Sequence, residues 1–246
     1  MQGFAEQAVN EARLCLKELQ GADHPLLLCR ALYGIGRMST MICDFATADR
    51  EIARLIEVTK GSNAHLWEAA ARFLKGKLSV ERGAFAQGLL VLRDAFETGG
   101  RTWRLSYAEF KGALALGLAG TGRLDEALVA LDDAVAGEDG HGHGHGHGWY
   151  VPELLRIKGE VLLQQAADQS TLAAEDCFNQ AAQMAREQGA LFWELRVALS
   201  VARLRVSQGR HHEARAPLAS VYDRFTEGFA TADLQAAHTL LEGLPP

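Results

Sequence analysis

Apolar residues recur every three to four positions through most of the chain, the spacing of amphipathic helices and not of strands. From Ala64 onward, Leu66, Trp67, Ala70, Phe73, Leu74 and Leu78 mark one face of a helix that Arg82-Gly83 ends. A second helix follows with Leu89, Leu92, Ala95 and Phe96 on one face, and Gly99-Gly100 stops it. The next pair runs from Thr102 to Thr121, turns at Gly122 and continues through Leu124, Ala127, Leu128, Leu131, Ala134 and Val135. The last full pair runs from Leu191 to Ser207, turns at Gly209 and continues through Ala214, Leu218 and Val221. Glycine suits each stop because it readily takes the left-handed conformation that follows a helix C-terminus. Ala5 to Leu19 reads as a lone leading helix and Thr231 to Leu244 as a closing one. Terminal helices of this kind cover the apolar ends of an array.

The pairs are copies of one another. Trp67, Trp103, Trp149 and Trp193 each open a first helix, at separations of 36, 46 and 44 residues. Nine positions after Trp67, Trp103, Tyr150 and Trp193 stand the small residues Gly76, Gly112, Gly159 and Ala202. The second helices share a small–large–small frame at i, i+4 and i+7: Gly88–Leu92–Ala95, Ala127–Leu131–Ala134, Ala174–Phe178–Ala181 and Ala214–Leu218–Val221. Gly36 followed by Ala48–Ile52–Leu55 is an earlier copy. A small residue lets two helices approach closely, and the large one fills the groove between them. Self-similarity at such a period is the signature of a solenoid, in which no unit buries its apolar face alone.

Composition narrows the classes. Hydrophobic content of 48% over 246 residues is ample for one continuous core, and five prolines suit a chain that is almost wholly helical. A net charge of −6 argues against general nucleic-acid binding, which rests on neutralising phosphates with Lys and Arg. No apolar run is long enough to predict a membrane-spanning helix, and Met1 to Gln20 lacks the cationic head and apolar stretch of a signal peptide. Cys15, Cys29, Cys43 and Cys177 fall singly among apolar helical neighbours, which predicts buried thiols in a reducing cytoplasm over a zinc site or disulfide.

With the frame in place, a family resemblance emerges. Gly76, Gly83, Gly88, Leu92 and Ala95, and the turns Gly122-Arg-Leu-Asp-Glu-Ala127 and Gly209-Arg-His-His-Glu-Ala214, resemble the tetratricopeptide (TPR) repeat. The spacing here is longer than that family's usual period, so extended helices or loops are implied. The tail, from Trp193-Glu-Leu-Arg-Val-Ala-Leu through Gln208-Gly-Arg to Leu218-Ala-Ser-Val-Tyr-Asp-Arg-Phe and Thr231-Ala-Asp-Leu234, is similar to one bacterial group. That group is the C-terminal repeat array of signalling proteins carrying a class III nucleotide-cyclase or DNA-binding domain and an ATPase module. The resemblance implies a protein-interaction module and no catalytic residue.

Candidate chemistry is sparse. Gly140 to Gly148 holds four His-Gly pairs, with His141, His143, His145 and His147. So much glycine predicts a flexible loop, over residues 137–148, between two repeats. Such a tract chelates Zn, Ni or Cu adventitiously, and a metal-binding protein built on it is the alternative function. No other cofactor is expected. Gly117-Leu-Ala-Gly-Thr-Gly122-Arg-Leu fails the phosphate-loop pattern, having Arg123 for lysine and Leu124 where a hydroxyl is required. His211-His212 beside Glu213 reads as solvated turn residues.

The expected architecture is thus all-α: a right-handed superhelix of about five TPR-like helical pairs with a capping helix, one domain over residues 1–246. First helices of such arrays line a concave groove. Counting from Gly36, Gly76, Gly159 and Ala202, the positions one ahead and three or six behind give Arg30, Tyr33, Arg37, Phe73, Lys77, Arg156, Glu160, Arg196 and Arg203. A cationic and aromatic groove on an acidic protein suits an acidic peptide or carboxylate terminus, since Arg pairs bidentately with carboxylates. The other reading of the same residues is solvated helix positions with intramolecular partners. The expected function is a non-catalytic scaffold or sensor binding a protein or peptide, with neither nucleic acid nor membrane as partner; the oligomeric state is left open.

Overall fold

The computed structural model describes residues 2–19, 25–60, 65–99, 107–140, 148–165 and 168–245. Among them are twelve α-helices and no strand: α1 Ala5–Glu18, α2 Pro25–Met41, α3 Phe45–Thr59, α4 His65–Glu81, α5 Phe85–Gly99, α6 Tyr107–Gly120, α7 Leu124–Gly140, α8 Val151–Gln164, α9 Asp168–Glu187, α10 Leu191–Ser207, α11 His211–Tyr222 and α12 Ala232–Gly243. The chain divides into two compact units, one of residues 5–122 and one of residues 1–4 with 123–246. None of the helices is long and apolar enough to cross a membrane.

In the unit of residues 5–122, α2 packs on α3 and α4 on α5, while α2 also touches α4 and α4 touches α6. A Cβ placed on Gly36 would lie 3.0 Å from Ile52 Cγ1, and one on Gly76 would lie 2.9 Å from Leu92 Cγ. The small residue of each first helix thus meets the large residue of its second helix, at the same register in both pairs. They lie in one core that also takes in Phe73, Leu74, Ala95 and Phe110. Trp67, in the first turn of α4, meets Tyr33 of α2 edge-on at 6.0 Å between ring centroids. The leading helix α1 lies on α2, where Leu16 packs against a small cluster around Leu32. It buries no residue of its own.

The other unit repeats the plan. Helix α8 packs on α9 and α10 on α11, with α8 against α10 and α10 against α12. A Cβ on Gly159 would fall 2.4 Å from Phe178 Cε1. Ala202 and Leu218 meet in the cluster that α12 closes with Leu234 and Ala237. Trp193 is fully buried, its Nε1 donating to the Trp149 carbonyl at 2.9 Å, with the two rings stacked at 6.1 Å. Trp103 lies outside the described residues.

Four of the described helix ends, those of α2, α4, α9 and α10, follow one device. At α4 the Gly83 N–H donates to the Val80 carbonyl and the Ala84 N–H to Ser79, the paired closure of a Schellman motif. Gly189 and Gly209 close α9 and α10 identically. Their φ values of 81°, 61° and 74° are left-handed. At α2 the same two bonds form, yet the left-handed position is held by Cys43 at φ 60°. Asp44 then caps α3, accepting from the Thr47 N–H at 3.1 Å.

Candidate functional site

The first helices carry charged side chains on the faces that meet one another, and within each unit these condense around a buried carboxylate. In the unit of residues 5–122 that carboxylate is Glu109 of α6, whose side chain is fully buried. Lys77 of α4 donates from Nζ to its Oε1 at 2.5 Å, and Arg37 of α2 from Nε to its Oε2 at 2.6 Å. Lys77 is itself buried, whereas Arg37 keeps 28% of its side chain exposed. Burial alone pushes the Glu109 carboxyl up. The charges of Lys77 and Arg37, with their hydrogen bonds, outweigh that and hold it below the ordinary carboxylate range.

The other unit centres on Glu153, in the first turn of α8. Arg156, one turn along, grips it with two bonds of 2.7 and 2.9 Å, and Arg196 of α10 adds a third at 2.7 Å. Arg156 also reaches Ser200 and Glu160, and the Ser200 hydroxyl donates to Glu160 at 2.6 Å. Arg196 lies 3.7 Å from Asp233 of α12, and its guanidinium sits 5.9 Å from the ring centres of Phe192 and Trp193. Burial works to strip Arg156 of its proton, but Glu153 prevails and the charge is held more firmly than usual.

The nine groove positions therefore part into three groups. Arg37, Lys77, Arg156, Glu160 and Arg196 hold intramolecular partners. Phe73 is fully buried, tilted against Phe110 at 6.0 Å, so it offers no surface, and Tyr33 is half-buried against Trp67. Arg30 and Arg203 are exposed, with no side-chain ion pair or hydrogen bond among the described residues. The decisive carboxylates were within reach of the same count: Glu109 stands three behind Gly112, and Glu153 six behind Gly159. Ser200 and Asp233 fall outside that frame, so no spacing signal marks them.

Both oxygens of Glu109 and of Glu153 accept from these cations, which suits them to fixing helices. Elsewhere, Glu213 is taken by Arg205 and Arg210 while His211 and His212 stay exposed. Cys29 and Cys177 are buried, and burial pushes both thiols up. Cys43 is half-buried, and Cys15 is exposed, contrary to expectation, because α1 buries nothing. Among the described residues no group of three or more His, Cys, Asp or Glu side chains is placed to hold a metal ion. His141, His143, His145 and His147 lie outside the described residues. Comparison of the chain with protein-family models and with curated proteins finds no match.

Proposed function

We propose that this chain is a non-catalytic binding scaffold of the tetratricopeptide kind, a right-handed superhelix of about five helical pairs that captures an acidic protein or peptide along its first helices. The observation that supports the reading best is the interlock repeated at one register: Gly36 on Ile52, Gly76 on Leu92 and Gly159 on Phe178. A module copied in this way buries its core by stacking on its neighbours and leaves an extended face for a partner. A preformed face of this kind spares the ordering cost of one side of a complex. Arg30 and Arg203, one in each unit, are exposed cations that no carboxylate among the described residues neutralises. By the resemblance of its tail, the array senses a partner within a cytoplasmic bacterial regulator and biases a neighbouring ATPase or cyclase.

The test uses a fluorescein-labelled glutamate-rich peptide, with fluorescence anisotropy read at low and physiological salt. The wild-type chain is expected to bind it, and Arg30→Glu to weaken binding about tenfold with the circular dichroism spectrum unchanged. Undiminished affinity in Arg30→Glu, or no wild-type binding at low salt, defeats the reading. Arg37→Glu is unsuited to the purpose, since it would set two carboxylates against each other at Glu109.

A further inference from the structure

Arg203 stands between two recesses of the unit that ends the chain and is the residue common to both linings. One recess, of about 530 Å³, lies between α10 and α12 and is lined by Val206, Ala236, Leu240 and Leu244. Apart from Arg203, the titratable side chain lining it is His211, and no carboxylate among the described residues does. The second, of about 350 Å³, has a mixed wall, with Ser200, Ser207 and Gln208 beside Leu163 and Leu204. Its one carboxylate, Glu160, already accepts from Ser200 at 2.6 Å and from Arg156 at 3.5 Å. The two recesses thus leave one positive charge unmatched, and that charge borders an apolar hollow.

That pairing selects a ligand by chemistry. Guanidinium matches a carboxylate with two parallel hydrogen bonds and is weakly hydrated, so it gives up water at modest cost. An apolar lining beside it rewards a hydrocarbon body. A phosphate dianion would call for more than one fixed cation, and among the described residues Arg203 is the one permanent cation of the lining, beside His211. The larger hollow falls in the roughly 300–1,000 Å³ class of small-molecule clefts. We propose that this recess takes an aliphatic monocarboxylate of the size of a medium-chain fatty acid, its carboxylate on Arg203 and its chain along Val206, Ala236 and Leu240. The peptide-binding reading also counts Arg203, but the ligand here is set by the apolar lining beside it, and the site stands whether or not an acidic peptide is captured.

The experiment is isothermal titration calorimetry of the full chain with sodium octanoate, with octylamine and acetate as controls. Octanoate is expected to bind saturably at one site, and acetate and octylamine are not. Arg203→Gln should weaken octanoate at least tenfold. Gln235→Glu, which adds a negative charge to an exposed lining residue, should weaken it several-fold with an unchanged thermal melt. Arg30→Glu, a change in the other compact unit, should leave octanoate binding untouched even where it weakens the peptide. Octanoate binding that survives Arg203→Gln, equal binding of octylamine, or no saturation in the millimolar range overturns the proposal. A leucine-terminated peptide that binds where octanoate does not also overturns it, and assigns the recess to a protein C-terminus.

Discussion

Replacing Glu109 by glutamine removes one charge and should cost far more than a surface change. Its side chain is fully buried between Lys77 at 2.5 Å and Arg37 at 2.6 Å. In Glu109→Gln the buried Lys77 ammonium faces a neutral amide in place of its carboxylate, and removing one partner of a buried ion pair costs about 3–5 kcal/mol. Lys77→Met is milder, about 1–3 kcal/mol, because Arg37 still serves the carboxylate. The double variant keeps only Arg37, partly exposed and able to turn toward water, so its total cost should stay below about 2 kcal/mol. The cycle is thus strongly non-additive, with the double variant more stable than Glu109→Gln alone.

Urea unfolding followed by far-UV circular dichroism measures the cycle, with matched m-values as the check that each variant loses the same structure. The pH dependence gives a second readout. The folded carboxyl is depressed, so its contribution is complete above the unfolded value of about 4.3 and is lost as pH falls toward the folded one. Glu109→Gln should accordingly flatten the acid limb of the stability curve below about pH 4.3. Single costs that add within about 0.5 kcal/mol, or an acid limb that does not change, would show that the three side chains are not one energetic unit.

Two backbone predictions rest on equally local geometry. Cys43 holds the left-handed place that Gly83, Gly189 and Gly209 hold in the matching motifs, so Cys43→Gly should stabilise the chain by about 1 kcal/mol, a rise of about 2–4 °C in Tm by calorimetry; no rise refutes the strain. Two helix glycines should respond to alanine with opposite signs. Gly159→Ala drives a methyl into the immobile Phe178 ring and costs about 1–3 kcal/mol, while Gly34→Ala meets nothing within 4 Å and gains about 1 kcal/mol; equal signs in denaturant titrations defeat the packing argument.

The helices were legible because a period of 3.6 leaves a trace at every turn, and the small and large positions because they recur in each pair. Which large residue each glycine meets, Leu92 for Gly76 and Phe178 for Gly159, is set by how the helices pack and is not marked in the spacing. The turn at Cys43 was hidden, since its left-handed residue lacks the glycine that marks the others. The charged face was half legible. Counting places Arg37 and Lys77 on it, but a helical register says nothing of which neighbouring helix faces them. Only the approach of α2, α4 and α6 turns two cations that looked available into partners of Glu109. Arg30 and Arg203 carry the same signature in sequence and remain exposed, so spacing alone cannot separate a paired arginine from one open to a ligand.

Why these helices should spend charges on each other follows from what apolar packing leaves undetermined. Within a hairpin, Gly76 against Leu92 fixes depth and register together, because the glycine admits the leucine at one place only. Between hairpins, first helix meets first helix through less specific contacts, and burial is non-directional. A slip of one residue moves a helix by about 1.5 Å, which contacts of 2.5 and 2.6 Å to one carboxylate do not survive. Glu109 therefore ties α2 and α4 to α6 at a single setting, and Glu153 does the same for α8 and α10 through Arg156 and Arg196. In the Lys77→Met, Glu109→Gln variant, helicity should persist while amide exchange in α4 and α6 accelerates more than the loss of global stability accounts for. Exchange that tracks global stability alone would leave the register to packing, and the buried ions would then have no structural task that an apolar pair could not perform.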